Sequence, residues 1–343
     1  MQGVTVIICC YNSAARIKDT LSALAIQRFH SDVAWEIVLV DNASGDHTAA
    51  QSRRIWDSFD TGIRLRIVHE SLPGQMNARR KGIAEARYSI LLFCDDDNWL
   101  SPEYVQGVVD VLTADPDIAA CGGRGIPVFE TAKPAWFDEF AEAFATGSQE
   151  LNRENGRIIS LYGAGLAIRK HALDEVLRSG TMLTGGRTGK SLGSADDIEL
   201  TYSLVLKGYR LVYVPGLTFR HYLPKERLTR AYLTGLFSSF GKDGPIRNLY
   251  YAHLTESRWH RKIVNWYYHL LLSLVRTGKY LIVPPKRSSR GLYFRWNLAY
   301  LGKLLKIKPD YERLLNHISL LRGKAPRPGM DKPVHPDYEE ILH

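Results

Sequence analysis

"LLFCDDDNWL", residues 91–100, runs an apolar segment straight into three consecutive aspartates. A strand with one wet face alternates apolar and polar residues, whereas an unbroken apolar run reads as a strand buried on both faces. Together with "SILLFCD" (89–95), which contains the start of the quoted stretch, the runs "VTVIICC" (4–10), "EIVLVD" (36–41), "RLRIVHE" (64–70) and "IAACGG" (118–123) read as strands rich in Val, Ile and Leu. Segments such as 14–27 and 75–87 lie between these runs with helix-like spacing. Strand and helix alternating in this way predict an α/β fold with a mostly parallel sheet flanked by helices. In such sheets ligands bind at the carboxyl ends of the strands. Polar residues follow the runs there: Tyr11-Asn12, Asp41-Asn42, Glu70 and Asp95-Asp96-Asp97. They are expected along one edge of the sheet.

The pattern loosens over 126–157, read as a short helix and loop over that edge, and resumes with strand-like "IISLYGAGLAI" (158–168) and a helix near 170–178. A glycine-rich run precedes "DDIELTYSLVLKG" (196–208), which has helical spacing, and "YRLVYVP" and "LTFRH" read as two further strands. The 343 residues, 45% of them hydrophobic, suffice for one large domain with an appendage. Residues 1–225 hold 24 Lys and Arg against 27 Asp and Glu, a net of −3; residues 226–343 hold 21 against 9, a net of +12. The whole basic excess therefore sits in the last third, which is also aromatic and helical in pattern. The expected organisation is a catalytic domain at 1–225, a basic helical extension at 226–322 and a proline-rich tail at 323–343. No apolar run reaches membrane-spanning length, and the amino terminus lacks a basic leader pattern, so a cytoplasmic location is expected. Cys9, Cys10, Cys94 and Cys121 lie in apolar contexts without ligand spacing and read as reduced core thiols.

Three aspartates at a strand end can be a solvated turn. They can also present oxygens to Mg²⁺ or Mn²⁺, ions that complete their shells with water and substrate phosphates. Asp196-Asp197 likewise reads in two ways, as acids favouring a helix N-terminus or as a general base.

The ordered series "VTVIICCYN", "EIVLVDNASGDHT", "GQMNARRKGI", "LLFCDDDNWL", "GAGLAIRKHAL" and "SADDIEL" resembles family 2 of the glycosyltransferases, over residues 3 to about 223. The stretches "PAWFDEFAEAFATGSQ" and "GKSLGSADDIELTYSLVLKGYRLVYVPGLTFRHYLP" are further similar to bacterial polysaccharide-assembly members. The resemblance implies the GT-A fold, a Rossmann-like nucleotide-diphospho-sugar transferase sheet, here with a helical carboxy-terminal extension. It implies that Tyr11 and Asn12 line the nucleotide pocket, although Cys10 stands where the family often has proline. Asp41 would accept hydrogen bonds from the base, with Asp46 a weaker pocket candidate. Arg79 falls on the family's arginine, with Arg80 where asparagine is usual. Asp95 would face ribose or donor sugar, Asp97 would bind the metal, and Asp96 could take either task. Asp197 is implied as the catalytic base, with Glu199-Leu200 matching behind it. His221 is implied as a further metal ligand, its alternative being a solvated strand-end histidine. Gly163 and Gly165 would let the acceptor approach or would serve close packing. Trp136 would stack on a sugar or anchor a loop. The glycine-rich run 185–193 would be a lid over the donor or a surface loop.

The implied activity is inverting transfer of a sugar from a nucleotide diphosphate, a UDP-sugar, to a hydroxyl of a glycan or polyprenyl-linked acceptor in surface polysaccharide synthesis. The implied cofactor is Mn²⁺ or Mg²⁺. Helical stretches such as "RLTRAYLTGLFSSF" (227–240) and "KRSSRGLYFRWNLAYLGKLLKIK" (286–308) mix Lys and Arg with aromatics and Leu. Such helices lie on anionic membrane surfaces, here the inner face of the cell membrane, or pack on the domain. No nucleic-acid-binding module accompanies the charge, so nucleic acid is not an expected partner. A nucleotidyltransferase is the rival enzyme, but "CCYNSAAR" lacks the glycine-rich triphosphate loop it would need. A catalytically silent sugar-binding or membrane scaffold protein is the rival outside enzymes.

Overall fold

The computed structural model describes residues 2–154, 156–180, 193, 195–255, 264–282 and 289–322. Most of the run 185–193 and all of the tail 323–343 lie outside the described residues. Two compact units emerge: the described residues of Met1–Glu175 and Tyr209–Pro224 form one, those of Val176–Gly208 and Lys225–Pro326 the other.

The first unit begins β1 (Val4–Cys10), α1 (Ile17–Ala25), β2 (Trp35–Asn42), α2 (Thr48–Asp57), β3 (Leu65–Glu70), α3 (Gln75–Glu85) and β4 (Ile90–Asp95). It continues with β5 (Asn98–Leu100), α4 (Tyr104–Ala114) and β6 (Ile118–Phe129), then a 3-10 turn at Asp138–Phe144. The small pair β7 (Arg153–Glu154) and β8 (Arg157–Ile158), then β9 (Ala167–Arg169), α5 (Lys170–Arg178), α6 (Asp196–Leu206) and β10 (Arg210–Leu223) follow in chain order, α6 belonging to the second unit. One sheet runs β3-β2-β1-β4-β9-β6-β10-β5. The β1–β2, β2–β3, β1–β4 and β6–β10 pairs are parallel, while β9 and β5 run antiparallel to their neighbours. The expected mostly parallel α/β sheet is therefore present. Its central strands are apolar because both faces are covered: Val4, Val6, Ile7 and Ile8 of β1 and Ile37, Val38, Leu39 and Val40 of β2 are all buried. Helix α4 seals its face with Tyr104, Val105, Val108, Val111 and Leu112, the spacing of one helical stripe.

One local reading is corrected, and one strand goes unforeseen in the sequence. "YRLVYVP" and "LTFRH" form one strand, β10, whose register to β6 shifts between Tyr213 and Thr218. Pro215 and Gly216 fall in that interval; proline has no N–H for the ladder, so the irregularity reads in sequence as a break. The residues after the triple aspartate do not leave as a plain loop: Asn98–Leu100 turns back as β5 and pairs antiparallel with β10, His221 opposite Asn98.

The second unit is helical. It contains α6, α7 (Arg230–Leu254), α8 (Trp266–Ile282), α9 (Arg290–Lys306) and α10 (Tyr311–Leu321). No described helix is long and apolar enough to cross a membrane.

Candidate active site

Parallel pairing aligns the strand ends. Cys10 at the end of β1 is level with Asp41 of β2, and Cys9 is level with Asp95 of β4. Tyr11, Asn12, Asp41 and Asp95 therefore share one sheet edge, as sequence order predicts. Tyr11 is 55% exposed, which leaves an aromatic face open beside that edge. Asn12 sits at φ 51°, a left-handed conformation that asparagine tolerates. Its Oδ1 accepts from Gly45 N at 2.8 Å, so it ties the loops after β1 and β2 together. Asp46 braces the same junction, accepting from Ala14 N at 3.1 Å and Thr48 N at 3.0 Å.

Asp41 Oδ1 is buried and has no hydrogen-bond partner among the described residues, while its Oδ2 lies 3.9 Å from His69 Nδ1. An acceptor desolvated and left unmatched is costly unless a donor arrives. Arg79 of α3 is buried, its guanidinium 5.5 Å from the Phe93 ring centroid, and neighbouring Arg80 is exposed. Helix α3 starts beside β2: Gly74 N donates to Asn42 Oδ1 at 2.8 Å.

The three aspartates diverge in their partners. Asp95 closes β4, its N–H reaching Asn98 Oδ1 at 3.3 Å. Asp96 turns back toward the loop after β1, where its Oδ2 accepts from Arg16 Nη2 at 2.6 Å and from the Ser13 hydroxyl. Its carbonyl oxygen accepts from Thr20 at 2.9 Å. Burial, then the charge of Asp97, pushes the Asp96 carboxyl above its ordinary range, with Arg16 and Ser13 pulling the other way. Arg16 also donates to the Tyr11 and Asn12 carbonyls, each at 3.1 Å, so one guanidinium binds the β1 loop to the acidic corner. Asp97 takes the third direction: Asn98 Nδ2 donates to its Oδ1 at 3.1 Å, and His221 Nε2 lies 3.6 Å from the same oxygen. The β5–β10 pairing is what brings His221 to Asp97.

No group of three or more His, Cys, Asp or Glu side chains is placed to hold a metal ion among the described residues. An ion of the Mg²⁺ type asks for less protein than that, often one or two side chains with water and substrate phosphates filling the shell. The Asp97–His221 pair offers a hard carboxylate oxygen, which suits Mg²⁺ or Mn²⁺, and an imidazole nitrogen, which suits them only moderately.

The remaining expected residues are placed as follows. Gly165 has φ +68°, its N–H donates to Phe93 O at 3.0 Å, and its carbonyl accepts from Tyr104 Oη at 2.8 Å. A Cβ there would stand 2.4 Å from Tyr104 Oη, so packing alone demands glycine. Gly163 is buried two residues earlier. Trp136 is half-buried, its ring 6.2 Å from Phe137 and 6.1 Å from Phe144, in an aromatic cluster over the 3-10 turn. Asp197, in the second unit, is half-buried in the first turn of α6, its Oδ1 accepting from Ile198 N at 2.8 Å. Two positions on, the buried Glu199 accepts from Tyr250 Oη of α7 at 2.8 Å. Sequence reasoning missed Arg16, Ser13 and Tyr250. "CCYNSAAR" did carry a cation one turn past the pocket residues, but its partner lies 80 residues away.

The sequence profile described as Glycosyl transferase family 2 matches residues 5–177. A poly-beta-1,6-N-acetyl-D-glucosamine synthase of Staphylococcus aureus is 23% identical over 217 residues, 63% of this chain and 48% of that protein. The chain thus spans about half the length of that curated relative. A putative glycosyltransferase, EpsH of Bacillus subtilis, is 25% identical over 119 residues, 35% of this chain and 33% of that one. Among solved structures, residues 1–349 of S. aureus TarS in complex with UDP-GlcNAc superpose with a TM-score of 0.51 at 15% identity, covering 91% of this chain and 92% of that one. The likeness is one of fold.

Proposed function

The chain belongs to glycosyltransferase family 2 and has the GT-A fold; from that premise we propose that it moves a sugar from a UDP-sugar, with inversion, to a hydroxyl of a glycan or polyprenyl-linked acceptor in bacterial surface polysaccharide synthesis. The observation that carries the donor reading is the buried, unmatched Asp41 Oδ1 at the end of β2. A nucleobase N–H would satisfy it. Tyr11 and Asn12 would flank the base, Arg79 would support it beside Asp41, and Asp95 would meet ribose or the donor sugar. Asp96, bonded to Arg16 and Ser13, holds the corner together. Mn²⁺ or Mg²⁺, held by Asp97 and His221, would supply positive charge at the departing diphosphate.

Asp197 would accept the acceptor's hydroxyl proton, a role given by its place in the family's motif. The acceptor oxygen forms the new bond to the anomeric carbon as the bond from that carbon to phosphate oxygen breaks. The nucleoside diphosphate leaves with the bonding electrons, and one attack from the opposite face inverts the centre. We assign catalysis to residues 1–225, with 226–322 as a helical extension and 323–343 as a tail. Gly163, Gly165 and Trp136 are the candidates for the acceptor side, and packing also requires glycine at 165. The proposed workplace is cytoplasmic, against the inner face of the cell membrane.

Thermal unfolding with UDP or GDP, with and without Mn²⁺, tests this, because a ligand bound to the native state raises apparent stability. UDP with Mn²⁺ should raise Tm, and Asp97→Ala or His221→Ala should remove the Mn²⁺ increment. Asp197→Asn should keep nucleotide binding and lose transfer. A parent protein stabilised by no nucleotide, or Asp97→Ala with an intact Mn²⁺ increment, would overturn the assignment.

A further inference from the structure

Helix α8 is inside out. The face it turns toward α9 is polar and hydrogen-bonded: Trp266 Nε1 donates to Leu304 O at 2.9 Å, Ser273 Oγ to Asn297 Oδ1 at 3.1 Å, and Asn297 Nδ2 to Thr277 Oγ1 at 2.8 Å. His269 Nδ1 meets Tyr300 Oη at 3.0 Å on the same side. The opposite face carries Tyr267, Leu271, Leu274, Val275, Leu281 and Ile282, all exposed, with Leu271 at 63% and Ile282 at 82%. A solvated helix of a water-soluble protein shows the reverse arrangement, and a contiguous apolar stripe of this kind marks an interaction surface.

Charge selects the partner. Lys279 borders the stripe on one side and Arg276 lies further round the helix on that same side; both are exposed, and neither α8 nor α9 contains a single Asp or Glu. A second copy packed on this stripe would bring together helices of the same positive charge, with no acid on α8 or α9 to pair their cations. An anionic lipid surface meets both features: the apolar face enters the acyl boundary while Arg276 and Lys279 reach the headgroups. The helix is too short in apolar length to cross, so it would lie flat. We propose that the outer face of α8 is a docking surface for anionic phospholipid bilayers. The inference deepens the membrane placement proposed above, and it uses none of the residues assigned to sugar transfer.

The test is co-sedimentation of the full chain, without nucleotide, with vesicles of phosphatidylglycerol mixed into phosphatidylcholine, against phosphatidylcholine alone. The chain should bind the anionic vesicles. The triple variant Leu271→Gln, Val275→Gln, Ile282→Gln should lose affinity by at least about tenfold, because apolar burial supplies much of interfacial binding. The pair Arg276→Gln, Lys279→Gln should lose roughly tenfold and most of the salt sensitivity. Leu151→Gln, an exposed leucine of the first unit, should bind as the parent does. All these side chains are already exposed, so the variants should fold, which circular dichroism checks. No binding of the parent to anionic vesicles, or unchanged binding of the triple variant, would overturn the proposal. Self-association of the parent in analytical ultracentrifugation, abolished in the triple variant while lipid is ignored, would give the face to a second copy. Either failure leaves nucleotide binding and transfer untouched.

Discussion

Replacing Arg16 by methionine removes the cation from Asp96 while keeping most of the apolar stem. Two unit charges about 4 Å apart at an effective dielectric near 20 attract by roughly 4 kcal/mol. The Arg16 side chain is 38% exposed and Asp96 10% exposed, so solvent screening removes about half and leaves roughly 2 kcal/mol. The sign depends on pH. Asp96 already sits above the ordinary carboxylate range through burial first and the Asp97 charge second, and Arg16 opposes that rise. A carboxyl with a raised folded pKa contributes its stability below the unfolded value, near 3.9, and loses it as pH climbs through the folded value. Losing Arg16 raises the folded value further. The deficit of Arg16→Met should therefore be small at about pH 4, grow as pH rises through the folded values, and approach roughly 2 kcal/mol above them. Urea unfolding of parent and variant at about pH 4 and about pH 8, with EDTA present, measures it through the midpoint shift at constant slope. An equal deficit at both pH values, or a larger one in acid, would refute the view that Arg16 acts by neutralising a buried Asp96.

Two further outcomes follow from the packing. Tyr250→Phe leaves the buried Glu199 carboxylate without its 2.8 Å hydroxyl donor, and should cost about 1.5–3 kcal/mol in urea unfolding; it should also lower transfer by loosening the first turn of α6, and a variant as stable as the parent would contradict this. Gly165→Ala places a Cβ 2.4 Å from Tyr104 Oη at φ +68°, and should destabilise by roughly 2 kcal/mol or more; adding Tyr104→Phe should recover part of the loss, and full stability of Gly165→Ala alone would show that the backbone can shift there.

The α/β alternation and the edge on which the polar residues gather were both legible in the chain. Central strands such as VTVIICC and EIVLVDN must bury both faces, so they write themselves as unbroken apolar runs, and parallel pairing then brings their ends level. The resemblance in motif order reached the family for the same reason: its residues lie at element ends, where local signals are strongest. The division of labour among Asp95, Asp96 and Asp97 was not legible, because three identical side chains in a row carry no information about direction. Asp96 is turned by Ser13 and Arg16, 83 and 80 residues away, and Asp97 meets His221 only because Asn98–Leu100 pairs with β10. Composition showed that the last third is basic and aromatic, yet not which side of α8 faces outward. Only the hydrogen bonds of Trp266, Ser273 and Thr277 toward α9 decide that, since a helix carrying both polar and apolar stripes can be buried on either one, and its neighbours make the choice.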